Sequence, residues 1–267
     1  MKKFLNNRFD DFFESREYIF LKNYLYNYRL RKRAINKIFK TECSVSGINL
    51  EVGCGISPML AASDNVIYTD LSHLALKTLI KFNQGGKYVA GAADHLPFRS
   101  HSISTVICSE VLEHLPDDQV ALNEISRILK IGGILILTVP HKERYFAVDD
   151  RFVNHFRRYE LIDILRKLET EGLSAVTLKK ILGPLEKITM IIAVYIYSFL
   201  PERKSEAISY NKLRISNLLR TSLFAFKWIN KIYSGIVWLD SRIMPRSLSS
   251  VILISAKKIS DANKVCI

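Results

Sequence analysis

Cysteine is scarce in this chain, and no two of the four, Cys43, Cys54, Cys108 and Cys266, stand as a C-x-x-C pair. That pattern argues against a disulfide framework and for a reducing, cytoplasmic compartment. No continuous apolar stretch follows the N-terminal lysines, so a secretory signal is not expected. The longest apolar run, residues 188–200 between Lys187 and Glu202, falls short of the ~20 residues that cross a bilayer. Nowhere does Gly-Lys-Ser/Thr close a glycine loop, which removes a P-loop, and acidic residues are too few to balance 39 Lys and Arg, leaving a net charge of +13.

What is present begins at Ile48-Asn49-Leu50-Glu51-Val52-Gly53-Cys54-Gly55-Ile56-Ser57. It reads as a buried strand entering a glycine turn with a carboxylate at its exit. Gly53 and Gly55 permit positive φ and close approach of a ligand. Pro58 stands where the dinucleotide fingerprint has its last glycine. Proline suits a helix's first turn, so a helix is expected after the turn, without a diphosphate site. A second strand, Asn65 to Asp70, ends in a carboxylate suited to vicinal ribose hydroxyls; as a plain helix N-cap, Asp70 or Ser72 would serve equally.

Strands are expected at 47–52, 65–70, 87–91, 103–109, 132–139, 174–181 and 249–257, with helices at 72–83, 117–130 and 157–170. Such alternation implies an α/β, mostly parallel sheet with right-handed crossovers. Ligands of such sheets gather beyond the carboxyl ends of the strands, where Glu51, Asp70, Asp94 and Glu110 fall.

Five segments in order, Leu50 to Gly55, Asp70-Leu71-Ser72, Ala93 to Phe98, Ser109 to Leu115 and Leu129 to Leu135, resemble the class I S-adenosylmethionine-dependent methyltransferases. The similar branch includes the ubiquinone and menaquinone biosynthesis enzymes, and the resemblance covers roughly residues 45–182. Ser57 replaces the family's usual third glycine. The resemblance implies a Rossmann-like seven-stranded methyltransferase sheet closing in an antiparallel hairpin, with S-adenosylmethionine as cofactor. It places Gly53, Cys54 and Gly55 under the methionine part and Glu51 near the amino group. It assigns the ribose to Asp70, the adenine face to Leu71 and the adenine amino group to Asp94. Ala93 and His95 flank that contact, and Ser109 completes the site.

The charge is uneven. Residues 1–40 carry a net +7, 41–182 a net −2, 183–248 a net +6 and 249–267 a net +2. The division expected is a basic, aromatic helical extension (1–40), the cofactor-binding core (41–182), a hydrophobic and basic helical insertion between the last two strands (183–248), the closing strand (249–258) and a tail (259–267). In the extension, Phe4, Phe9, Phe12, Phe13, Tyr18, Phe20, Tyr24, Tyr26 and Tyr28 alternate with Arg16, Lys22, Arg29, Arg31, Lys32 and Arg33. In the insertion, Leu223 to Tyr233 and Ile236 to Leu239 set aromatics beside lysines. Both compositions suit an acidic membrane surface, a lid over the cofactor, or nucleic acid.

The catalytic candidates are His141, directly after the fifth strand, His155 in the next loop, and His114. Glu110, Glu113 and His114 share one face if their segment is helical. In ubiquinone-pathway O-methyltransferases the similar Glu-x-x-Glu-His goes with a divalent cation, but the string also serves structurally, and no metal is assigned. Cys108-Ser109-Glu110 stands where amino-group methyltransferases of DNA adenine and protein glutamine have Asn-Pro-Pro-Tyr, and Ile107 replaces the proline of cytosine-C5 enzymes.

The segment Asn154 to Glu160, followed by a long apolar insertion, is similar to uncharacterised bacterial and archaeal members whose insertions suggest lipid-like substrates. The expected function is methyl transfer to oxygen or carbon of a hydrophobic, membrane-held small molecule, peripheral at the inner membrane face. The alternatives are a transfer RNA methyltransferase, and a non-catalytic cofactor-binding protein of the membrane interface.

Overall fold

The computed structural model describes residues 23–43, 47–83, 85–199 and 217–261. Phe4, Phe9, Phe12, Phe13, Arg16, Tyr18, Phe20 and Lys22 of the basic aromatic extension, and Cys266, lie outside the described residues.

Seven strands form one sheet: β1 (Asn49–Val52), β2 (Val66–Asp70), β3 (Lys87–Ala90), β4 (Ile103–Ser109), β5 (Leu129–Pro140), β6 (Leu173–Leu182) and β7 (Val251–Lys258), in the order β3-β2-β1-β4-β5-β7-β6. β3, β2, β1, β4 and β5 run parallel; β7 inserts antiparallel between β5 and β6. Every expected strand is present, several shifted by a residue or two. β5 starts three residues earlier than expected because Leu129 already pairs with Ile103.

Period-two alternation sends the sheet's apolar residues to opposite faces. Leu135, Leu137 and Val139 of β5 join Ile252 and Ile254 of β7 in one core, under α3 (Asp118–Ile128) and α5 (Leu161–Thr170). Ile134, Ile136, Val251 and Leu253 join the other core, under α1 (Tyr26–Glu42), α2 (His73–Phe82) and α7 (Asn217–Ile243). The short α4 (Val148–Phe152) and the longer α6 (Pro184–Phe199) complete the cap over the strand ends. Helix starts follow capping chemistry: Ser72 Oγ accepts from Ala75 N–H at 3.1 Å, and the Asp117 carboxylate accepts from Gln119 and Val120 N–H.

Two expectations are corrected. No helix follows β1, since residues 53–65 form turns and bends. Their backbone groups are taken by side chains instead. Glu51 accepts from the Met59 and Leu60 N–H groups at 2.7 and 3.1 Å. From α1, Tyr28 donates to the Ser57 and Pro58 carbonyls, Lys32 to Pro58 O and Asn36 to Met59 O. A helix satisfies such groups internally; this short crossover is instead pinned between β1 and α1.

The helix expected at 157–170 begins only at Leu161. Tyr159 is extended, paired with His141, and its hydroxyl donates to Asp118 at 2.8 Å. Within the insertion, α6 and α7 are helical as expected, and residues 200–216 lie outside the described residues. Among the described residues, no helix is long and apolar enough to cross a membrane.

Candidate functional site

The carboxyl ends of β1, β2 and β4 converge on the glycine turn. Gly53 (φ +67°) and Gly55 (φ +53°) both take left-handed backbone, and a Cβ on Gly53 would run into the Val111 side chain. Asp70, half-buried at the end of β2, accepts from Gly55 N–H at 2.7 Å through one oxygen and from Ser72 N–H at 2.9 Å through the other. Leu71 follows it as an exposed apolar side chain. Asp94 and His95 are exposed and Ala93 is buried in the next loop, held by His95 N–H donating to Ala92 O. Ser109 closes the row, its hydroxyl 2.9 Å from that of Thr138 on β5. Glu51 lies at the turn with its carboxylate buried, accepting from the turn's own N–H groups.

Beyond Ser109, Glu110 adopts φ +54°, uncommon for a residue with a side chain. That turn breaks the helical spacing expected for Glu110, Glu113 and His114. Residues Leu112–His114 form a single 3-10 turn, and Glu110 leaves the group to pair with Arg31 of α1 at 3.1 Å and to accept from Thr138 at 3.1 Å. Glu113, His114 and His155 come together instead, one ligand atom from each lying within 4.8 Å of the others. The two imidazoles meet edge to face at 4.7 Å. Glu113 is fully buried with no hydrogen-bond partner on either carboxylate oxygen, so burial, reinforced by the Glu110 charge, raises its pKa well above the usual range.

His141, 1 % exposed, lies after β5. Its Nδ1 sits 3.0 Å from the Ser249 carbonyl and 2.7 Å from Ser249 Oγ, whose own hydrogen goes to the Arg246 carbonyl. Both contacts require Nδ1–H as donor, which leaves Nε2 as the basic nitrogen, and Nε2 is buried without a partner. Burial lowers the His141 pKa, keeping the ring neutral.

The insertion is clamped to this edge by buried charge. Lys187 of α6 donates to both Asp149 oxygens (2.6 and 2.7 Å) and to Asp150 (2.6 Å). Arg158 Nε donates to Asp150 at 2.7 Å, and His155 Nδ1 lies 2.9 Å from the same carboxylate. Burial works against ionisation of Asp150, but the hydrogen bonds from His155 and Arg158 hold its pKa far below the usual range. Beside Lys187, Glu186 is buried and 2.7 Å from Ser250 Oγ, its pKa raised by burial. Tyr26 and Tyr233 pack edge to face at 4.8 Å under the same cap. Sequence reasoning had assigned no role to Asp149, Asp150, Arg158, Glu186 or Lys187; the one available signal was Lys187 bordering an apolar run.

Residues 50–137 match the family described as a methyltransferase domain. The core is that of a class I S-adenosylmethionine-dependent methyltransferase. Its family implies S-adenosylmethionine as methyl donor. The chain is 33 % identical over 129 residues to an uncharacterised protein of Methanocaldococcus jannaschii, covering 48 % of this chain and 55 % of that one. It is 29 % identical over 111 residues to the demethylmenaquinone methyltransferase of Streptomyces griseus, covering 41 % and 48 %. The chain spans about half the length of the curated relatives it matches. Its fold is similar to a Thermotoga maritima S-adenosylmethionine-dependent methyltransferase described as a possible histamine N-methyltransferase, at TM-score 0.57 and 17 % identity over 94 % of this chain and 99 % of that one.

Proposed function

We propose that the protein transfers a methyl group from S-adenosylmethionine to an oxygen or carbon of a hydrophobic, membrane-held small molecule. The residues on the open edge fit the donor, a neutral base, a diol and a zwitterionic tail with no phosphate. Asp70 would take the ribose hydroxyls, exposed Leu71 the adenine face and Asp94 the adenine amino group, flanked by Ala93 and His95. Gly53, Cys54, Gly55 and Ser109 would line the methionine end, and Glu51 would act by holding the turn in shape. When bound, the cofactor supplies an electrophilic methyl carbon.

The observation that carries the reading is the tautomer and placement of His141. It is a buried neutral imidazole with Nε2 free to take a proton, at the edge of the sheet that α1 and α6 cover. A base that stays neutral at physiological pH suits a hydroxyl or activated carbon acceptor, which must lose a proton as the methyl arrives. Arg31 and Glu110 tie α1 down over the end of β4, while Glu186 and Lys187 tie down α6. The aromatic and apolar faces of Tyr26, Tyr233, Leu185 and Val237 line the cap's interior, in keeping with an apolar acceptor body. His155 and His114, bound up with Asp150 and Glu113, would position the cap.

The test is transfer of labelled methyl into a lysate of the cells that make the protein, split into organic, protein and nucleic-acid fractions. Label is expected in the organic phase and lost in His141→Gln, with cofactor affinity retained by calorimetry. Label confined to RNA would replace this reading with the transfer RNA alternative. Cofactor binding with no label in any fraction would replace it with the non-catalytic interface protein.

A further inference from the structure

α7 has three faces, and only one is explained by packing. Taken at 100° per residue, Asn230, Val237 and Ser241 form the buried side, with Val237 fully excluded from solvent. On the far side, Trp228, Ile229, Ile232, Ile236, Leu239 and Ile243 lie within an arc of about 100°, and all are exposed, Ile232 by 63 % and Ile243 by 68 %. Along one flank of that arc run Lys231 and Arg242, while Lys227 lies nearer the buried side. Their cationic heads lie over aromatic rings: Lys231 over Trp228 at 4.7 Å, Arg242 over Trp238 at 4.7 Å and Lys227 over Tyr24 at 4.4 Å. Both tryptophans of the chain are on this helix. Neighbouring α6 repeats the pattern at Ile188, Ile192 and Tyr195, exposed at i, i+4 and i+7.

Large apolar side chains in so regular a row are not the scattered hydrophobics of an ordinary surface. We propose that the exposed arc of α7 lies in the interface of a bilayer carrying acidic lipid, with Lys231 and Arg242 at the headgroup level. The charge decides the occupant. The border is basic, the chain carries a net +13, and Asp240 on the opposite border is taken up by Leu185 N–H at 3.2 Å. A second copy docked on the same face would bring these cations together with no free carboxylate on the arc to answer them. An acidic surface supplies the missing charge, roughly fivefold in partition per basic residue. Apolar side chains then sink to the depth of the acyl boundary while the lysine and arginine stems reach outward. The inference deepens the membrane-held acceptor proposed above. A helix lying in the interface, packed on α1 beside the cap, would bring the acceptor pocket to the lipid in which such a molecule dissolves.

The test needs neither cofactor nor acceptor. Full-length protein is mixed with phosphatidylcholine vesicles, with and without phosphatidylglycerol. Flotation is measured with tryptophan emission, which reports on the arc through Trp228 and on its basic flank through Trp238, the chain's two tryptophans. Expected are co-flotation and a blue shift with the acidic vesicles, weakened by salt. The triple variant Ile232→Glu, Ile236→Glu, Ile243→Glu should lose at least tenfold in partition, since removing one isoleucine from an apolar phase is worth roughly tenfold. Its helical circular dichroism and its S-adenosylmethionine affinity should stay unchanged. Wild type that does not float, or a variant that floats equally well, overturns the proposal. So does a dimer that the variant dissolves without any vesicle binding, which would assign the face to a second copy. Cofactor affinity in the same samples keeps failure here separate from failure of the methyltransferase reading.

Discussion

Lys187→Met is the most informative single perturbation, because its ammonium group ties α6 of the insertion to two buried aspartates of the core. Lys187 lies on α6 with a side chain 5 % exposed, and it is held by three hydrogen bonds of 2.6 to 2.7 Å to Asp149 and Asp150. Methionine matches its length and apolar stem, so packing changes little and the loss is electrostatic. Removing one partner of a buried ion pair costs about 3–5 kcal/mol, because the remaining charge is left desolvated. Arg158 keeps its 2.7 Å bond to Asp150 and stands 3.9 Å from Asp149, which places the expected loss at the low end, about 3 kcal/mol. For a chain of this size that lowers Tm by roughly 6–12 °C. The assay is thermal unfolding by circular dichroism at neutral pH, with limited proteolysis to show whether the insertion opens before the core. Asp149→Asn in the Lys187→Met background should restore part of the loss, since it removes the stranded charge. A loss under about 1 kcal/mol in the single variant, or equal losses with and without Asp149→Asn, would refute the view that this cluster clamps the insertion.

Asp70→Ala should keep the fold and lose at least tenfold of S-adenosylmethionine affinity by calorimetry; unchanged affinity would remove the ribose role. Arg31→Ala, which frees Glu110 from α1, should lower turnover more than cofactor affinity, read as a kcat effect; a pure affinity effect would place α1 on the donor side only. Glu113→Gln should alter the pH dependence of stability. The folded-state pKa of Glu113 is raised by burial, so the wild type holds that contribution in full below the unfolded value of about 4.3. It loses the contribution as pH rises through the folded pKa. The variant should therefore gain on the wild type in Tm as pH rises above about 4.3, and parallel curves would show that Glu113 titrates normally.

The sheet was legible because its information is local and repetitive. Alternating apolar residues, glycine at the two turn positions and carboxylates at strand exits reflect demands that neighbours in sequence impose on one another. The seven strands therefore fell where the pattern put them. The placement of Gly53, Asp70 and Leu71 at strand ends, and of Asp94 in the loop after β3, was legible for the same reason.

Contacts between distant segments carried no such pattern. The helix expected after Pro58 is absent because Tyr28, Lys32 and Asn36 on α1 and Glu51 on β1 take up the backbone groups it would have paired. The helical spacing of Glu110, Glu113 and His114 failed at one residue, the positive φ of Glu110, which turns that carboxylate to Arg31 and leaves Glu113 and His114 to His155. The tautomer of His141 depends on Ser249, more than a hundred residues away. Lys187 looked like the mere boundary of an apolar run until the fold set two aspartates around it. Periodicity and turn chemistry, written residue by residue, determined the scaffold and the turns at its strand ends. Burial, which exists only once the chain has folded, decided which charges are paired, which stay neutral and which apolar faces are left open.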